Sequence, residues 1–221
     1  MCDDIFEQKN RFLDQVLAER RTYRLFSPVF PPDEEIRRIL HAGLVAPFAA
    51  TSVGTPKDYF RRFFVIRNGS ESIRALHPLL MAEVNALAAE LDAAMKDDPK
   101  LRADALLFVR RLERIKNLGT IPGIGTAPLY LIVAERRGYP PAGLQSLAHC
   151  MENMWLKATA LGLGFQPVSL TSRMADSEKF CGILGINAGE WDLAGCAVGY
   201  PQEELSPAIR PPVDDLIRWL E

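Results

Sequence analysis

Arg20, Arg21 and Arg24 stand close together in ERRTYRLFSP (19–28), with the hydroxyl of Thr22 among them. A guanidinium is planar and always charged, and its donors form a fork that meets phosphate oxygens two at a time; a hydroxyl adds one more donor. The cluster therefore reads as a grip for a phosphate. A solvated helix end with ordinary surface ion pairs is the plainer reading of the same residues.

The rest of the chain offers no rival chemistry. His41, His77 and His149 lie far apart and have no metal-ligand spacing. The four cysteines, Cys2, Cys150, Cys181 and Cys196, are scattered without a C-x-x-C, which argues against a disulfide framework or a zinc site. G-x-G-x-x-G, G-x-x-x-x-G-K-[ST] and G-x-S-x-G are all absent, and the glycine-rich GTIPGIGTAP precedes a strand, so it reads as a loop. Ser169, Thr171 and Ser172 form a hydroxyl cluster with no base beside it in sequence. With neither an acid–base pair nor an activated nucleophile, an enzyme built on this chain must take its chemistry from a cofactor.

With 221 residues, 48% of them hydrophobic and 24% charged, the chain is long enough for one core of good size. A net charge of −2 excludes nucleic-acid binding by overall field, so any anion site must be local. No apolar run is long enough to span a membrane, and the acidic opening MCDDIFEQKN does not resemble a signal peptide. We expect a cytoplasmic protein without a membrane or nucleic-acid partner. No repeat, low-complexity tract or linker divides the chain, so a single domain over 1–221 is expected.

These features must be positioned by the following elements. Residues 4–19 carry apolar side chains at helical spacing and run straight into Arg20. PPDEEIRRILHAGLVAP reads as a helix with proline and acids at its start and Pro47 beyond its end, buried along Ile36, Ile39, Leu40 and Leu44. RRFFVIRN reads as a strand. From Ser70 a long helical stretch follows, broken at KDDPK, and then a further helix with Leu101, Leu106, Val109, Leu112 and Ile115 on one side. The other side of that helix is basic (Arg102, Arg110, Arg111, Arg114, Lys116) and reads as a solvated face. APLYLIVAE is a strand covered on both faces. GLQSLAHCMENMWLKATALGLG is a helix with an apolar arc wide enough to be buried on more than one side, stopped at Gly162. FQPVSL, SEKFCGILG and LAGCAVGYP add a short strand, a short helix and a buried strand. The tail PAIRPPVDDLIRWLE begins extended. Together they give an α+β layout.

In their order and spacing these pieces resemble the FMN-dependent nitroreductase family over almost the whole chain, except for about 70–116. RRTYRLF is similar to the family's R-R-S-x-R-x-F, with Thr22 in the serine's place. AGLVAPFAATS resembles its A-A-x-x-A-P-S-x-x-N turn, and APLYLIVAE its a-P-v strand. HCMENMWLKATALGLGF resembles the helix at the centre of the family's dimer. GCAVGYPQE resembles its l-G-y-P ending, and IRPP the arginine that returns to the phosphate.

The resemblance implies a nitroreductase-like α+β fold: a central, mainly antiparallel sheet flanked by helices, in an intertwined homodimer. It implies FMN held by Arg20, Arg21, Thr22, Arg24 and Arg210, by Pro47, Phe48, Ala49 and Thr51 of the turn, and by Pro167, Val168, Ser169 and Leu170 along the ring. In an extended segment Arg20, Thr22 and Arg24 would share one side, with Arg21 on the other. The activity implied is ping-pong electron transfer from NAD(P)H to nitroaromatic, quinone or related acceptors. The turn departs from the family pattern at Phe48–Val53, which leaves open a flavin-cleaving, dehalogenating or oxidase-type relative, or a flavin-binding protein without turnover. Residues 70–116 are expected to cover the open face of the flavin, with an extension of the core as the alternative.

Overall fold

The structure, a computed structural model, describes residues 2–48 and 59–220. Its elements in chain order are α1 (Cys2–Glu19), α2 (Asp33–Leu44), β1 (Arg61–Arg67), α3 (Glu71–Ala94), α4 (Pro99–Asp104), α5 (Leu106–Leu118), β2 (Leu129–Arg136), α6 (Gly143–Ala160), β3 (Gly164–Val168), α7 (Glu178–Leu184) and β4 (Trp191–Gly199). A 3₁₀ turn, Ser169–Met174, follows β3, and another, Val213–Asp215, lies in the tail.

Local chemistry starts and stops these elements. Ser70 Oγ accepts from the Ile73 amide at 3.2 Å, and Asp98 Oδ1 from the Leu101 amide at 2.9 Å, so each caps the helix that follows. Gly119 and Gly162, with φ of 64° and 71°, follow α5 and α6 in the left-handed region that favours glycine. The helix expected after KDDPK is two helices, α4 and α5, joined at Ala105. On α2 the buried positions are Ile36, Ile39 and Gly43, with Leu40 half-buried. Leu44, expected inside, is exposed. Gly43 takes its place because α2 and α6 approach closely there: a Cβ on Gly43 would sit 2.8 Å from Met154 Cγ.

The four strands form one antiparallel sheet in the order β1-β2-β4-β3. Side chains alternate across β2, so it feeds two cores. Tyr130, Ile132 and Ala134 join Ile73, Leu76, Leu80 and Val84 of α3 and Leu112 and Ile115 of α5 on one face. Leu129, Leu131 and Val133 join Ile36 and Ile39 of α2 and Leu147, Cys150 and Met154 of α6 on the other. Within 70–116, α3 and α5 thus pack into the core while α4 buries no residue, and α3 and α5 also reach the cavity described below.

One charged pair lies inside the second core. Arg61 stands directly opposite Glu135 in the β1–β2 ladder, and both side chains have no exposed surface. Arg61 Nε donates to Glu135 Oε1 at 2.6 Å, and Nη1 donates to the carbonyls of Gly43 and Ala46 at 2.5 and 3.3 Å. A cation thereby adds a charged donor to carbonyls at and just beyond the C-terminal end of α2.

Among the described residues, α1 and the tail leave apolar side chains exposed. In α1, Ile5, Phe6, Phe12, Leu13 and Leu17 are exposed. In the tail every residue from Ser206 to Leu220 is exposed, Trp219 and Leu220 among them.

Breaking a buried pair leaves an uncompensated charge, so Glu135→Ala and Arg61→Met should each cost about 3–5 kcal/mol, while the double variant Arg61→Met/Glu135→Leu should regain most of the loss. Urea unfolding checks this. Single variants as stable as the parent would contradict it.

Candidate functional site

The end of α1 delivers the arginine cluster to an edge of the sheet. Arg20 still closes a helical turn through its amide to Val16 O at 3.0 Å. The chain then extends: Thr22 bridges in parallel to Phe165 of β3, and the Tyr23 amide donates to Phe165 O at 3.3 Å. From α6, Trp155 Nε1 donates to Arg21 O at 3.1 Å and pins the segment. Phe26 bridges to Pro201 just beyond β4.

This path separates residues expected to act together. Arg20 turns toward α6, where its guanidinium lies 4.3 Å from the centre of the Trp155 ring and 3.5 Å from Glu152. Strand alternation fails for Arg20 because its own backbone is still in the last turn of α1. Arg21 donates to the carbonyls of Ala18, Arg20 and Ser206, which ties down the start of the tail.

Thr22 and Arg24 face a cavity of about 320 Å³. Gln166, Pro167, Val168, Ser169 and Leu170 line it beside them, while Val84, Leu87, Phe108 and Ile115 of α3 and α5 supply an apolar wall. A second cleft of about 200 Å³ also reaches Pro167, Val168 and Ser169, between them and Leu144 and Met151 of α6. Pro47, Phe48 and Arg210 line neither cleft. The Pro47 carbonyl accepts from Ser146 Oγ at 3.5 Å, Phe48 stacks on Phe60 with ring centres 3.8 Å apart, and Arg210 lies in the exposed tail. Ala49, Thr51 and Val53 lie outside the described residues.

Two polar residues of the cavity were not among those expected at the site. Arg111, expected on a solvated basic face, lines the cavity with Arg24. It falls at i+3 from Phe108 and i−4 from Ile115, so the spacing of those two apolar residues was the signal. Burial, and then the charge of Arg24, hold its guanidinium below its usual pKa; it stays protonated all the same. Neither arginine pairs with a carboxylate among the described residues. Gln166 is the other. Its Nε2 donates to Pro122 O at 2.8 Å, while its Oε1 is buried without a partner. Gly123 (φ 88°) passes so near that a Cβ there would lie 2.8 Å from that oxygen.

Two members of the hydroxyl cluster are tied up within the fold. Thr171 and Tyr130 share a buried hydrogen bond of 2.7 Å, and Ser172 Oγ donates to Ser169 O within the 3₁₀ turn. Among the described residues no group of His, Cys, Asp and Glu could hold a metal ion. No helix of the described residues is long and apolar enough to cross a membrane. The site therefore has the parts to bind and orient a ligand: two cations, a hydroxyl, an apolar wall and a strand end.

The family model described as "Nitroreductase family" matches residues 17–200, and the chain belongs to that family of oxidoreductases. No curated protein matches it. Solved structures share its fold. A Bacteroides fragilis nitroreductase with bound FMN is 20% identical with a TM-score of 0.65, covering 95% of this chain and 98% of its own. The FMN and NADPH-dependent nitroreductase NfnB from a Sphigopyxis species is 19% identical with a TM-score of 0.63, covering 95% and 99%. Iodotyrosine deiodinase bound to FMN and 3-iodo-L-tyrosine is 17% identical with a TM-score of 0.65, covering 95% and 99%.

Cys150, Cys181 and Cys196 are buried, and burial raises all three thiols, Cys150 to about 12. They should therefore stay protonated and unmodified when the folded protein is treated with iodoacetamide at pH 8, as read by peptide mass spectrometry. Fast labelling of any of them would contradict this placement.

Proposed function

We propose that the protein is an FMN-dependent oxidoreductase that accepts two electrons from NADH or NADPH and passes them, in a separate half-reaction, to a nitroaromatic, quinone or related acceptor. The observation that carries this reading is the cavity in which Thr22 and Arg24 face the Gln166–Leu170 strand end across an apolar wall. The donor set fits the group. A phosphate dianion suits an arginine and a hydroxyl, and a flat ring suits the apolar wall. Bound FMN would supply the two-electron chemistry. The chain's part is to hold the phosphate at Thr22 and Arg24, exclude water with α3 and α5, and offer backbone N–H donors near Val168, Ser169 and Leu170, where charge accumulates on reduction. Pro167 has no N–H to give.

The reading extends to the rest of the chain. It acts as one domain over 1–221, with the helical stretch at 70–116 walling the site, and works in the cytoplasm as a homodimer. Support for the dimer comes from the apolar side chains left open on α1 and in the tail. Pairing of two copies would bring Arg210 and the Pro47–Thr51 turn, with Phe48 and Ala49, to the cofactor. It would also free Arg20 and Arg21 to add their charge. Met154, on the helix resembling the family's dimer centre, is fully buried within its own chain, so it cannot probe the interface. A second reading, reductive dehalogenation, draws on the departure from the family pattern at Phe48 and on the fold shared with iodotyrosine deiodinase. Iodide release from 3-iodotyrosine by the dithionite-reduced protein tests it.

NADH and NADPH oxidation with and without menadione tests the main reading. Menadione-dependent turnover is expected; a flavin-loaded protein that oxidises neither nucleotide would overturn the main reading. Arg24→Glu should cost on the order of several kcal/mol of flavin binding, from one lost charge-assisted bond and one new repulsion, without unfolding the chain. A variant as yellow as wild type would show that Arg24 does not hold the cofactor. Phe12→Asp or Trp219→Asp should give monomers that release flavin; a flavin-loaded monomer by light scattering would contradict the dimer.

A further inference from the structure

The charge at the cavity exceeds what the phosphate grip on the β3 edge accounts for. Arg24 arrives with the extended segment that carries Thr22. Arg111 comes from α5, on the wall that also bears Phe108 and Ile115. Several other cations of the molecule are paired: Arg173 with Glu83 and Glu90, Arg137 with Asp176 and Asp192, Arg61 with Glu135. Arg111 has no such partner among the described residues, and the charge felt at its guanidinium is that of a second cation, Arg24. Holding two like charges over one partly desolvated cavity is unfavourable until an anion enters, and an anion there is attracted by both. If Thr22 and Arg24 serve the cofactor, Arg111 still lacks its anion.

We propose that Arg111 selects acceptors bearing an anionic group, a carboxylate or sulfonate on an aromatic or quinonoid body. The anion meets the guanidinium, and the body lies on the apolar side chains of the same helix, Phe108 and Ile115. This rests on the flavin reading. Arg111 is a specificity residue, placed by its neighbours on the apolar face of α5.

The probes are 4-nitrobenzoate and nitrobenzene, which differ by one carboxylate. With FMN-saturated protein the reaction followed is ArNO2 + NADPH + H+ → ArNO + NADP+ + H2O. Arg111→Gln should lower the ratio of kcat/KM for 4-nitrobenzoate to that for nitrobenzene on the order of tenfold, the loss of one charge-assisted bond. The calorimetric Kd of 4-nitrobenzoate should rise by a similar factor. Arg111→Lys should recover part of both. Arg114→Gln, on the same helix but outside the cavity, should alter neither. A wild-type protein that binds 4-nitrobenzoate no better than nitrobenzene overturns the proposal. So does an Arg111→Gln protein with unchanged ratio and Kd, whether it has lost flavin (Arg111 then holds the cofactor) or only raised the KM for NADPH (it then holds the nucleotide). If the purified chain takes up no FMN while Arg111→Gln still weakens 4-nitrobenzoate binding, the flavin reading falls and the anion site stands.

Discussion

The pairing of an extended segment with an edge strand decides where this protein can bind anything. Backbone contacts of Thr22 and Tyr23 with Phe165 tie the segment to the free side of β3, residues 25–27 pair with 200–202 beyond β4, and Trp155 of α6 fixes Arg21 from behind. An edge strand presents unpaired donors and acceptors, and here the chain's own N-terminal segment covers them. Covering the edge also brings Thr22 and Arg24 to the strand end at Gln166–Leu170. The Arg24 cation is therefore held by backbone geometry, independently of any ion pair of its own.

The sheet behind that edge is rigid for a different reason. Its central strand β2 is buried on both faces, and at its end Glu135 meets Arg61 inside the second core. Such a pair adds little net stability compared with apolar side chains, but its geometry is specific. Arg61 can bond the carbonyls after α2 only if β1, β2 and α2 sit in one relative position. The turn toward Pro47 and Phe48 leaves from that point. The other core joins α3 and α5 to the sheet, so the wall of the cavity is part of the folded core and not a separate flap.

What the sequence revealed, and what it hid, follows from the range of the interactions involved. α2 was legible from Pro32 and the acids behind it, α3 from the Ser70 cap, and β2 from its unbroken apolar run, because each signal acts within a few residues. The grouping of Thr22 and Arg24 with Pro167–Leu170 followed from the family resemblance. Arg20 was misplaced because alternation holds only in extended backbone, and its amide still belongs to α1. Arg111 was missed because the stripe of α5 was drawn through Val109, Leu112 and Ile115. The cavity is lined by Phe108, Arg111, Leu112 and Ile115, a rotation that tertiary packing sets. Nothing local marks Arg61 as buried: its partners are a carboxylate on another strand and carbonyls at the end of a helix.

The central claim is that this arrangement of cations, strand end and apolar wall holds a flavin mononucleotide. The most direct measurement is to release the cofactor from the purified, FMN-reconstituted protein by heat, identify it by chromatography and count it against chains. The account predicts FMN at close to one per chain. Recovery of FAD in its place, or of no flavin after refolding with excess FMN, would contradict it.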